Sequence, residues 1–575
     1  MPRLHRRYTV FLLGVIIIIG GISLSWGIQN NFGCTHTSKV TLITAEGIPI
    51  AGILQVPLAA SPSSPLPGVI VIHGIMGTKE WMMGFGHELS RRGFVVLTID
   101  VVGHGNSGAS LGEGTDLGGI VALEFLASLP YVSTIGMVGH SMGSSVARQA
   151  INQSAVQVDS LVLVGSRAWG NTTYPHNMLV VTGLYDELFD IPAFLNTLAE
   201  FFNTSAPVVV GQLYGDFSTG TARKVIIPLS NHLFEIVDPY AISETVDWLM
   251  NSLKGSPDAY WIPSQNLIYY FWILGGLIAC IGAMLSVLAL FKILIKLRPF
   301  QQIQYVPNST YSANTLVYLG FGLLYGFIEL GTLFALLLVD IPIYFPQGMG
   351  ISVALGLFTG GLITLLVLLG IKYFQSKKTV NPPIWNDYGA FNGNSLTLLK
   401  TIGLGFLLGL IGIAWLYLWV LPIDLLLALD FRAFLPFLKA LSPLRALYVP
   451  IYFLLLLPFV LVEGLWLMGL LRTSPRETWY STQTFWTIKA IFIKILLYAS
   501  IIIIQVVGSI AIGGALISGS IGFQLIFLYM FIPIFAVSTT VIAWSYRLTN
   551  RFYIAVLFNA LLFAWIMAAI LPIYL

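Results

Sequence analysis

The stretch Gly139–Gly143, which reads G-x-S-x-G, is the part of the sequence most suited to chemistry. A short apolar run precedes it at 134–138, and residues 144–151 behind it have a helical pattern. A strand that turns sharply into a helix holds the side chain at the turn in a strained, exposed position. The flanking glycines let neighbouring backbone pass close by. We therefore predict Ser141 as a nucleophile at a helix N-terminus, where the helix dipole is positive.

Two other residues, both later in the sequence, are predicted to complete a catalytic triad with this serine. A serine hydroxyl is a poor nucleophile until a base takes its proton, and the base needs a carboxylate to orient it. Asp186 and His232 each follow a predicted apolar strand, at the edge where sites form in open α/β sheets. We predict His232 as the base and Asp186 as its carboxylate partner. Glu187 and Asp190 lie close enough to Asp186 to remain alternatives for the carboxylate.

An acyl-transfer site also needs backbone N–H donors for the negative oxygen of the intermediate. The N–H of Met142, directly after the nucleophile, is predicted as one donor. The second is expected from the loop 73–77, which follows the first apolar strand of the alternating region. Ile75 N–H is the preferred donor in that loop, and Met76 N–H is the alternative.

Strands and helices alternate through this part of the chain. Two short strands around Glu46-Gly47 predict a hairpin, and from Gly68 onward six apolar strand patterns alternate with helical ones until a last helix over 239–253. Strands that are apolar along their whole length are typical of a parallel sheet covered on both faces. The sequence therefore predicts a mostly parallel sheet with helices on both faces.

Residues 35–255 resemble the α/β-hydrolase superfamily, and most closely its esterase, monoglyceride-lipase and S33-peptidase-like branch. The resemblance implies the α/β-hydrolase fold and acyl hydrolysis by the triad. One departure is Val102, where the family often has Arg. The matching motifs, in chain order, are His73-Gly74-x-x-Gly77, Asp100-x-x-Gly103-His104-Gly105-x-Ser107, Gly139-His140-Ser141-Met142-Gly143, Gly183-x-x-Asp186 and Asn231-His232.

The resemblance also bears on access to the site. Members of this superfamily that have a lid usually insert it between the fourth and fifth of the six strands. In this sequence that connection, 166–177, is only 12 residues long. The resemblance therefore implies an open site without a cap.

The composition is that of a membrane protein. Of the 575 residues 56% are hydrophobic and only 9% are charged, whereas a soluble domain has roughly 25% charged residues. The shorter segment 423–441 carries four charges and is predicted to lie along the membrane interface. Eight apolar runs are long enough to span a bilayer, at 267–292, 314–339, 349–373, 396–421, 446–471, 486–512, 519–545 and 552–575.

A ninth apolar run, 8–28, follows Arg3, Arg6 and Arg7. Its length of about 20 residues exceeds the 7–15 of a signal-peptide core, which favours an uncleaved anchor over a cleaved signal peptide. Basic residues predict the orientation, because Lys and Arg concentrate in cytoplasmic loops. With the N-terminus inside, thirteen of them fall in cytoplasmic segments and three in the short outer loops. The α/β region and the C-terminus are then predicted to be extracytoplasmic.

Few ionisable residues lie within the predicted spans. Glu463 and Lys494 lie at matching depths on two consecutive antiparallel spans, roughly 12 Å from their cytoplasmic ends. We predict an ion pair between them, because lone charges inside a membrane are costly. The alternative is that Lys494 extends to the interface and Glu463 is protonated or bonded elsewhere. No basic partner is evident for Glu329 in span 314–339.

The sequence predicts three regions, a membrane anchor at 1–30, an extracytoplasmic α/β-hydrolase domain at 31–255 and an eight-helix membrane domain at 256–575. The predicted function is a membrane-anchored serine hydrolase that cleaves an acyl ester, with a lipid or an amide as further substrate classes. A transporter or lipid-handling protein with an accessory hydrolase, and a non-catalytic binding domain, are the alternatives. The lipid bilayer is an expected partner and nucleic acid is not, since the net charge is only +3. No cofactor or metal is expected, because no metal-ligand spacing is present.

Overall fold

The computed structural model describes residues 2–305, 315–338, 345–378, 389, 395–432, 437–470, 474 and 476–574. The chain begins with a long helix, α1 (Pro2–Gln29), which leads into a sheet. We call residues 35–253 the α/β segment, and α1 together with residues 269–574 the helical segment. The strands of the α/β segment are β1 (Thr35–Ile43), β2 (Pro49–Pro57), β3 (Leu66–Ile72), β4 (Val95–Ile99), β5 (Val132–His140), β6 (Ser160–Val164), β7 (Met178–Val181) and β8 (Arg223–Ile226).

The eight strands form one sheet in the order β1-β2-β4-β3-β5-β6-β7-β8. The β1–β2 and β2–β4 pairs are antiparallel, and every other neighbouring pair is parallel. All residues of β3, β4, β6 and β7 are buried, as expected for strands covered on both faces. The predicted fold class, a mostly parallel sheet with the hairpin at one edge, is confirmed.

Helices lie on both sides of this sheet. The predicted last helix, 239–253, is found with those bounds, whereas the one predicted over 79–92 begins only at Met83. A 3-10 turn, Lys79–Met82, occupies its first residues, because Asp100 accepts the Lys79 N–H at 2.7 Å and tightens the entry. The helices are α2 (Met83–Ser90), α3 (Gly119–Ser128), α4 (Met142–Gln153), α5 (Ile191–Thr197), α6 (Ala199–Phe202) and α7 (Pro239–Leu253).

The helical segment matches the predicted series of spans. Nine helices within the described residues are long and apolar enough to cross a membrane, which indicates a multi-pass membrane protein. Terminal residues of three predicted spans lie outside the described residues, namely those of 314–339, 446–471 and 552–575. Arg472, one of the thirteen basic residues predicted to be cytoplasmic, also lies outside them. The helices are α8 (Tyr269–Leu294), α9 (Arg298–Gln301), α10 (Thr315–Leu338), α11 (Gly348–Lys378), α12 (Ser395–Leu427), α13 (Pro443–Ala446), α14 (Val449–Gly464), α15 (Trp479–Ile512), α16 (Gly519–Thr549) and α17 (Tyr553–Ile570).

Helix α1 packs closely along α8. A Cβ added at Gly21 would lie 2.5 Å from backbone atoms of Gly275 and Ala279, and one at Gly282 would lie 2.7 Å from the carbonyl oxygen of Gly14. Backbones that approach this closely are typical of paired helices in membranes, where small residues form the contact. Helix α1 is therefore an integral part of the helix packing.

The prediction for residues 423–441 is wrong. Helix α12 continues to Leu427, and a two-stranded hairpin of β9 (Phe431–Arg432) and β10 (Phe437–Leu438) follows, with 433–436 outside the described residues. Asp430, Arg432 and Lys439 are buried rather than arranged on one face toward water. Their charges made the segment look amphipathic, but they form ion pairs, described below.

The α/β and helical segments are joined by backbone hydrogen bonds. The Leu111 N–H donates to the Ile573 carbonyl at 2.7 Å, and the Ile573 N–H donates to the Gly103 carbonyl at 2.9 Å. On the other side of the site, the Gly519 N–H at the start of α16 donates to the Glu187 carbonyl at 2.8 Å. The start of α16 and the residues after α17 therefore contact the α/β segment directly.

The predicted ion pair inside the helical segment is confirmed. The Lys494 Nζ lies 2.7 Å from Glu463 Oε1. It also lies 2.7 Å from Glu329 Oε2, so the expectation that Glu329 has no basic partner is wrong. Helix α10 brings Glu329 beside α15, a contact between helices that are distant in sequence. The rings of Phe535 and Tyr325 lie 4.0 and 4.5 Å from the ammonium and complete its surroundings.

Candidate active site

Ser141 stands at a sharp turn between β5 and α4. Its backbone has φ +50° and ψ −117°, a conformation that side-chain-bearing residues rarely adopt. The glycine at 143 is required, because a Cβ there would lie 2.4 Å from the Ile72 carbonyl oxygen and 2.7 Å from that of His73. A Cβ at Gly139 would lie 2.6 Å from the Ser144 nitrogen. The two glycines thus let the turn press against β3 and hold Ser141 at the end of the sheet.

The three residues predicted as a triad meet at this turn. His232 Nε2 lies 3.0 Å from Ser141 Oγ, and His232 Nδ1 lies 2.8 Å from Asp186 Oδ2. In the neutral imidazole, Nδ1–H donates to the carboxylate and Nε2 accepts the serine O–H. The other Asp186 oxygen accepts the Leu188 N–H at 2.7 Å, which fixes the carboxylate. The arrangement can withdraw a proton from the serine hydroxyl and stabilise the resulting imidazolium.

The two alternative carboxylates have other partners. Glu187 accepts the backbone N–H of His232 at 3.2 Å and so lies beside the loop, not against the imidazole. Asp190 caps α5, where it accepts the Ala193 N–H at 2.9 Å. Asp186 is therefore the carboxylate that the structure places at the His232 ring.

The loop 73–77 lies against Ser141, as predicted for the source of the second oxyanion donor. A Cβ at Gly74 would lie 3.0 Å from Ser141 Cβ, and Ile75 and Met76 both line the cavity at the serine. His73 fixes the loop, because its Nε2 accepts the Val101 N–H at 3.1 Å while its other ring nitrogen lies 2.7 Å from the Gly74 carbonyl oxygen. Burial lowers the pKa of His73, so the ring that holds this loop is neutral.

The N–H groups of Met142 and Ile75 face no competing acceptor in the part of the chain that the structure describes. Neither of them donates a hydrogen bond within it. The same holds for Met76, so the two loop positions remain alternatives for the second donor. Unpartnered N–H groups on both sides of Ser141 form a suitable cradle for a negatively charged oxygen.

The cavity at Ser141 is narrow and is covered by a helix, so the prediction of an open, capless site is wrong. Its volume is only about 30 Å³, room for a water molecule or two. The connection between β6 and β7 is short, as the sequence indicated, but α16 of the helical segment covers the site instead. The apolar side chains around the cavity are Ile75, Met76, Trp81 and Leu233 from the α/β segment and Phe523, Ile526, Phe527 and Met530 from α16.

Residues 67–266 match the family model described as "alpha/beta hydrolase fold". This part of the chain belongs to the α/β-hydrolase superfamily. The match contains the turn at Ser141, Asp186 and His232, and it ends three residues before α8 begins. The family match thus covers most of the α/β segment and leaves the helical segment unassigned.

Individual relatives of the hydrolase segment are distant. Over 100 residues, 17% of this chain, the sequence is 31% identical to uncharacterized proteins of Mycobacterium tuberculosis and Mycobacterium bovis. The match spans 29% of the length of these curated relatives. An esterase of Pyrococcus furiosus is 15% identical, with a TM-score of 0.31 over 39% of this chain and 96% of that chain. A serine hydrolase "without lid" from Xanthomonas campestris is 17% identical, with a TM-score of 0.29 over 39% and 97%.

Sequence reasoning missed Glu235, which lies behind the triad of this hydrolase. Its carboxyl accepts the Gly183 N–H and is fully buried near Asp186. Burial, and after it the charge of Asp186, raises the pKa of Glu235 well above its usual range. Burial therefore favours the neutral form of the Glu235 carboxyl. Its position three residues after His232 was the one signal available in the sequence.

His140, the neighbour of the nucleophile, holds the base in place. Its Nε2–H donates to the backbone carbonyl of His232 at 3.1 Å. Burial lowers the pKa of His140 well below its usual range, so the ring stays neutral. His140, His232 and Glu235 also offer three possible metal-ligand atoms within 4.8 Å of one another. Both ring nitrogens of His232 are already hydrogen-bonded to Ser141 and Asp186.

A buried group of charges joins the oxyanion loop of the hydrolase to the helical segment. Lys79 Nζ lies 2.7 Å from Asp100 and 3.1 Å from Glu80, and Glu80 pairs with Lys439. Arg432 pairs with Asp430 at 2.6 Å. Burial opposes ionisation of Glu80, but the neighbouring cations hold the pKa of its carboxyl well below its usual range. We call Lys79, Glu80, Asp100, Asp430, Arg432 and Lys439 the interface cluster.

Proposed function

We propose that the protein is a membrane-embedded serine hydrolase that cleaves acyl esters, with Ser141 as nucleophile, His232 as general base and acid, and Asp186 as the carboxylate that orients His232. The observation that carries this proposal is the unbroken chain of hydrogen bonds from Ser141 Oγ through the imidazole to Asp186, with the serine at a strained turn. A purely structural Gly/Ser turn has no need of a base and a carboxylate in that order.

The reaction follows from these contacts. As Ser141 Oγ attacks the ester carbonyl, its proton passes to His232 Nε2, and the negative oxygen is held by the N–H groups of Met142 and of Ile75 or Met76. The imidazolium then gives its proton to the leaving alcohol. Water enters, loses a proton to His232 and attacks the acyl-enzyme. The products are a carboxylic acid and an alcohol, and Ser141 is restored.

Covalent labelling tests this proposal. The purified full-length protein in detergent is treated with a fluorescent fluorophosphonate, which reacts with activated serines, and the label is mapped by peptide mass spectrometry. We expect labelling of Ser141 in the wild-type protein and none in Ser141→Ala. Ser145→Ala, at an exposed position one turn along α4, is the matched control and should label normally. A folded wild-type protein that takes no label would favour a binding domain without turnover and refute the proposal.

We also propose that the hydrolase segment is extracytoplasmic. The bias of basic residues supports this orientation, and the three basic residues assigned to outer loops support it further. Arg432, Lys439 and Arg445 are all buried, the first two in the interface cluster and the third on the Gly103 carbonyl at 2.9 Å. They have structural partners and so do not count as loop charges that set topology. A reporter fused after Leu253 that is active only in the cytoplasm would contradict this orientation.

A further inference from the structure

The cavity at Ser141 is too small for any ester, so a substrate must displace part of its lining. Two of the lining residues, Phe523 and Phe527, also line a second, much larger space of about 730 Å³. Their rings form an edge-to-face pair with centroids 6.2 Å apart. The two phenyl rings thus stand as a partition between a water-sized cavity at the nucleophile and a space of the size that ligands occupy in proteins.

This larger space lies between membrane-length helices. Leu337 and Leu338 from the end of α10, Met349 and Ser352 from the start of α11, and the first turns of α16 line it. Leu338, at its edge, is 58% exposed. From the α/β segment, Leu188, two residues after Asp186, contributes to its lining. We call this space the acyl groove.

The position and lining of the acyl groove point to one kind of occupant. The helix ends that form it lie beside the hydrolase segment, so it is at the level where the bilayer meets that segment. Leucine, methionine and phenylalanine side chains line much of the groove, together with the polar residues Ser352, Ser520, Gln524 and Tyr574. The apolar part of this lining favours a hydrocarbon chain.

A third space differs from the acyl groove in its relation to the cavity at Ser141. It lies on the other side of α16, between α15 and the loops after β7 and β8, and has a volume of about 550 Å³. It shares no lining residue with the cavity at Ser141, so opening it would not lead to the nucleophile.

We infer that the substrate is a long-chain acyl ester that enters sideways from the bilayer, with its acyl chain in the acyl groove and its carbonyl at Ser141, after Phe523 and Phe527 move apart. This inference rests on the proposed serine-hydrolase function and adds the substrate class and the path. It also gives the helical segment a role in the reaction, because α16 both closes the site and forms one wall of the path.

The test compares a long and a short ester on the full-length protein in phosphatidylcholine vesicles. p-Nitrophenyl palmitate is dissolved in the bilayer, and p-nitrophenyl acetate is added to the water. Ser352→Trp and Leu337→Trp, on two different helices, fill the groove. For both we expect the ratio of palmitate to acetate kcat/KM to fall by about tenfold or more, equivalent to losing the burial of roughly two methylene groups.

Leu366→Trp is the matched control, since Leu366 is on the same helix as Ser352 but 67% exposed and away from the groove. Its ratio should equal that of the wild type. Phe523→Ala, which removes one ring of the partition, should raise the ratio several-fold. Fluorophosphonate labelling of each variant shows whether its triad is intact. If one of the two tryptophan variants misfolds and takes no label, the ratio measured for the other tests the acyl groove.

The outcomes separate the two proposals. A wild-type protein that cleaves neither ester and takes no label would refute the serine-hydrolase function itself. A wild-type protein that cleaves both esters, with a ratio unchanged in Ser352→Trp and in Leu337→Trp, would leave that function standing and overturn the acyl groove. Equal losses for both esters in the two labelled tryptophan variants would also overturn it.

Discussion

His232 in the α/β segment and Lys494 in the helical segment are both buried basic groups held between two partners. His232 lies between a hydroxyl and one carboxylate, whereas Lys494 lies between two carboxylates. A neutral imidazole with a hydroxyl on one side can accept and return a proton. Lys494 has no such hydroxyl partner and instead joins carboxyl groups of two other helices, α10 and α14. Changes at the first group should therefore alter rate, and changes at the second should alter stability.

The largest effect is expected at His232 and Ser141. His232→Ala or Ser141→Ala should lower kcat by roughly 10⁴ to 10⁶, and Asp186→Asn by roughly 10⁴, because the imidazole then adopts the wrong tautomer. Steady-state ester hydrolysis measures this effect. The thermal unfolding midpoint of Ser141→Ala should stay near that of the wild type. Near-normal turnover by Ser141→Ala would show that the group around His232 does not set the rate of hydrolysis.

The next largest effect is expected at Lys494. Lys494→Met leaves Glu329 and Glu463 without a cation and should cost about 3–5 kcal/mol of stability, the usual cost of breaking a buried ion pair. Thermal unfolding in detergent measures the loss, and Lys489→Met, at a less buried position on the same helix, is the control.

The number of carboxyl groups around Lys494 makes that prediction more specific. Two carboxyl groups face one Lys494 side chain, so Glu463→Gln, which leaves Glu329 as a partner of Lys494, should cost far less than Lys494→Met. The triple variant Glu329→Gln, Glu463→Gln and Lys494→Met should recover much of the loss. Strictly additive losses of stability across the three sites would show that the three side chains have no interaction energy with one another.

An intermediate effect is expected at the interface cluster, which is balanced, with three cations and three carboxylates. Lys439→Met should cost about 2 kcal/mol, less than Lys494→Met, because Glu80 keeps Lys79 at 3.1 Å. It should also slow ester hydrolysis several-fold, since Glu80 directly follows the loop that supplies the oxyanion donor. Lys224→Met breaks a half-exposed pair with Glu244 and is the control. Loss of stability with unchanged kinetics would separate the cluster from the site.

The last effect concerns pH. Burial raises the pKa of Glu187 to about 7, whereas an unfolded glutamate titrates near 4.3. Between those values the folded protein binds more protons than the unfolded chain, so this contribution to stability is lost as the pH rises through 7. Glu187→Gln should therefore be more stable than the wild type at pH 8.5, by about 1–3 kcal/mol, and little different at pH 5. Thermal unfolding at the two pH values measures this, with exposed Glu200→Gln as control.

The residues of the candidate site were predictable from sequence because the position of each depends on short-range order. Gly139 and Gly143 mark a turn that only glycines permit, and Asp186 and His232 follow strands whose pattern is visible along the chain. Parallel strands bring their carboxyl ends to one edge, so three local patterns were enough to place one site. The same reasoning found the Glu463–Lys494 pair, because consecutive antiparallel helices fix the relative depth of their residues.

The cover of the site and the interface cluster were not predictable in this way. Glu80 and Lys439 are 359 residues apart, and Ser141 and Phe523 are 382 apart, so no periodicity links them. The segment 423–441, which contains Asp430 and Lys439, is predicted to lie along the membrane interface because it is short and carries four charges. Burial with opposite charges gives the same pattern as exposure to water, and the partners lie on another part of the fold.

The long separation between Ser141 and α16 has a consequence for biosynthesis. At about 5–20 residues per second, the ribosome needs roughly 20 to 80 s to add the 382 residues from the nucleophile to Phe523. The catalytic segment is complete well before its cover exists. During that interval the nascent chain presents an uncovered nucleophile, and the turn at Ser141 becomes enclosed only when the eighth membrane-length helix has been inserted.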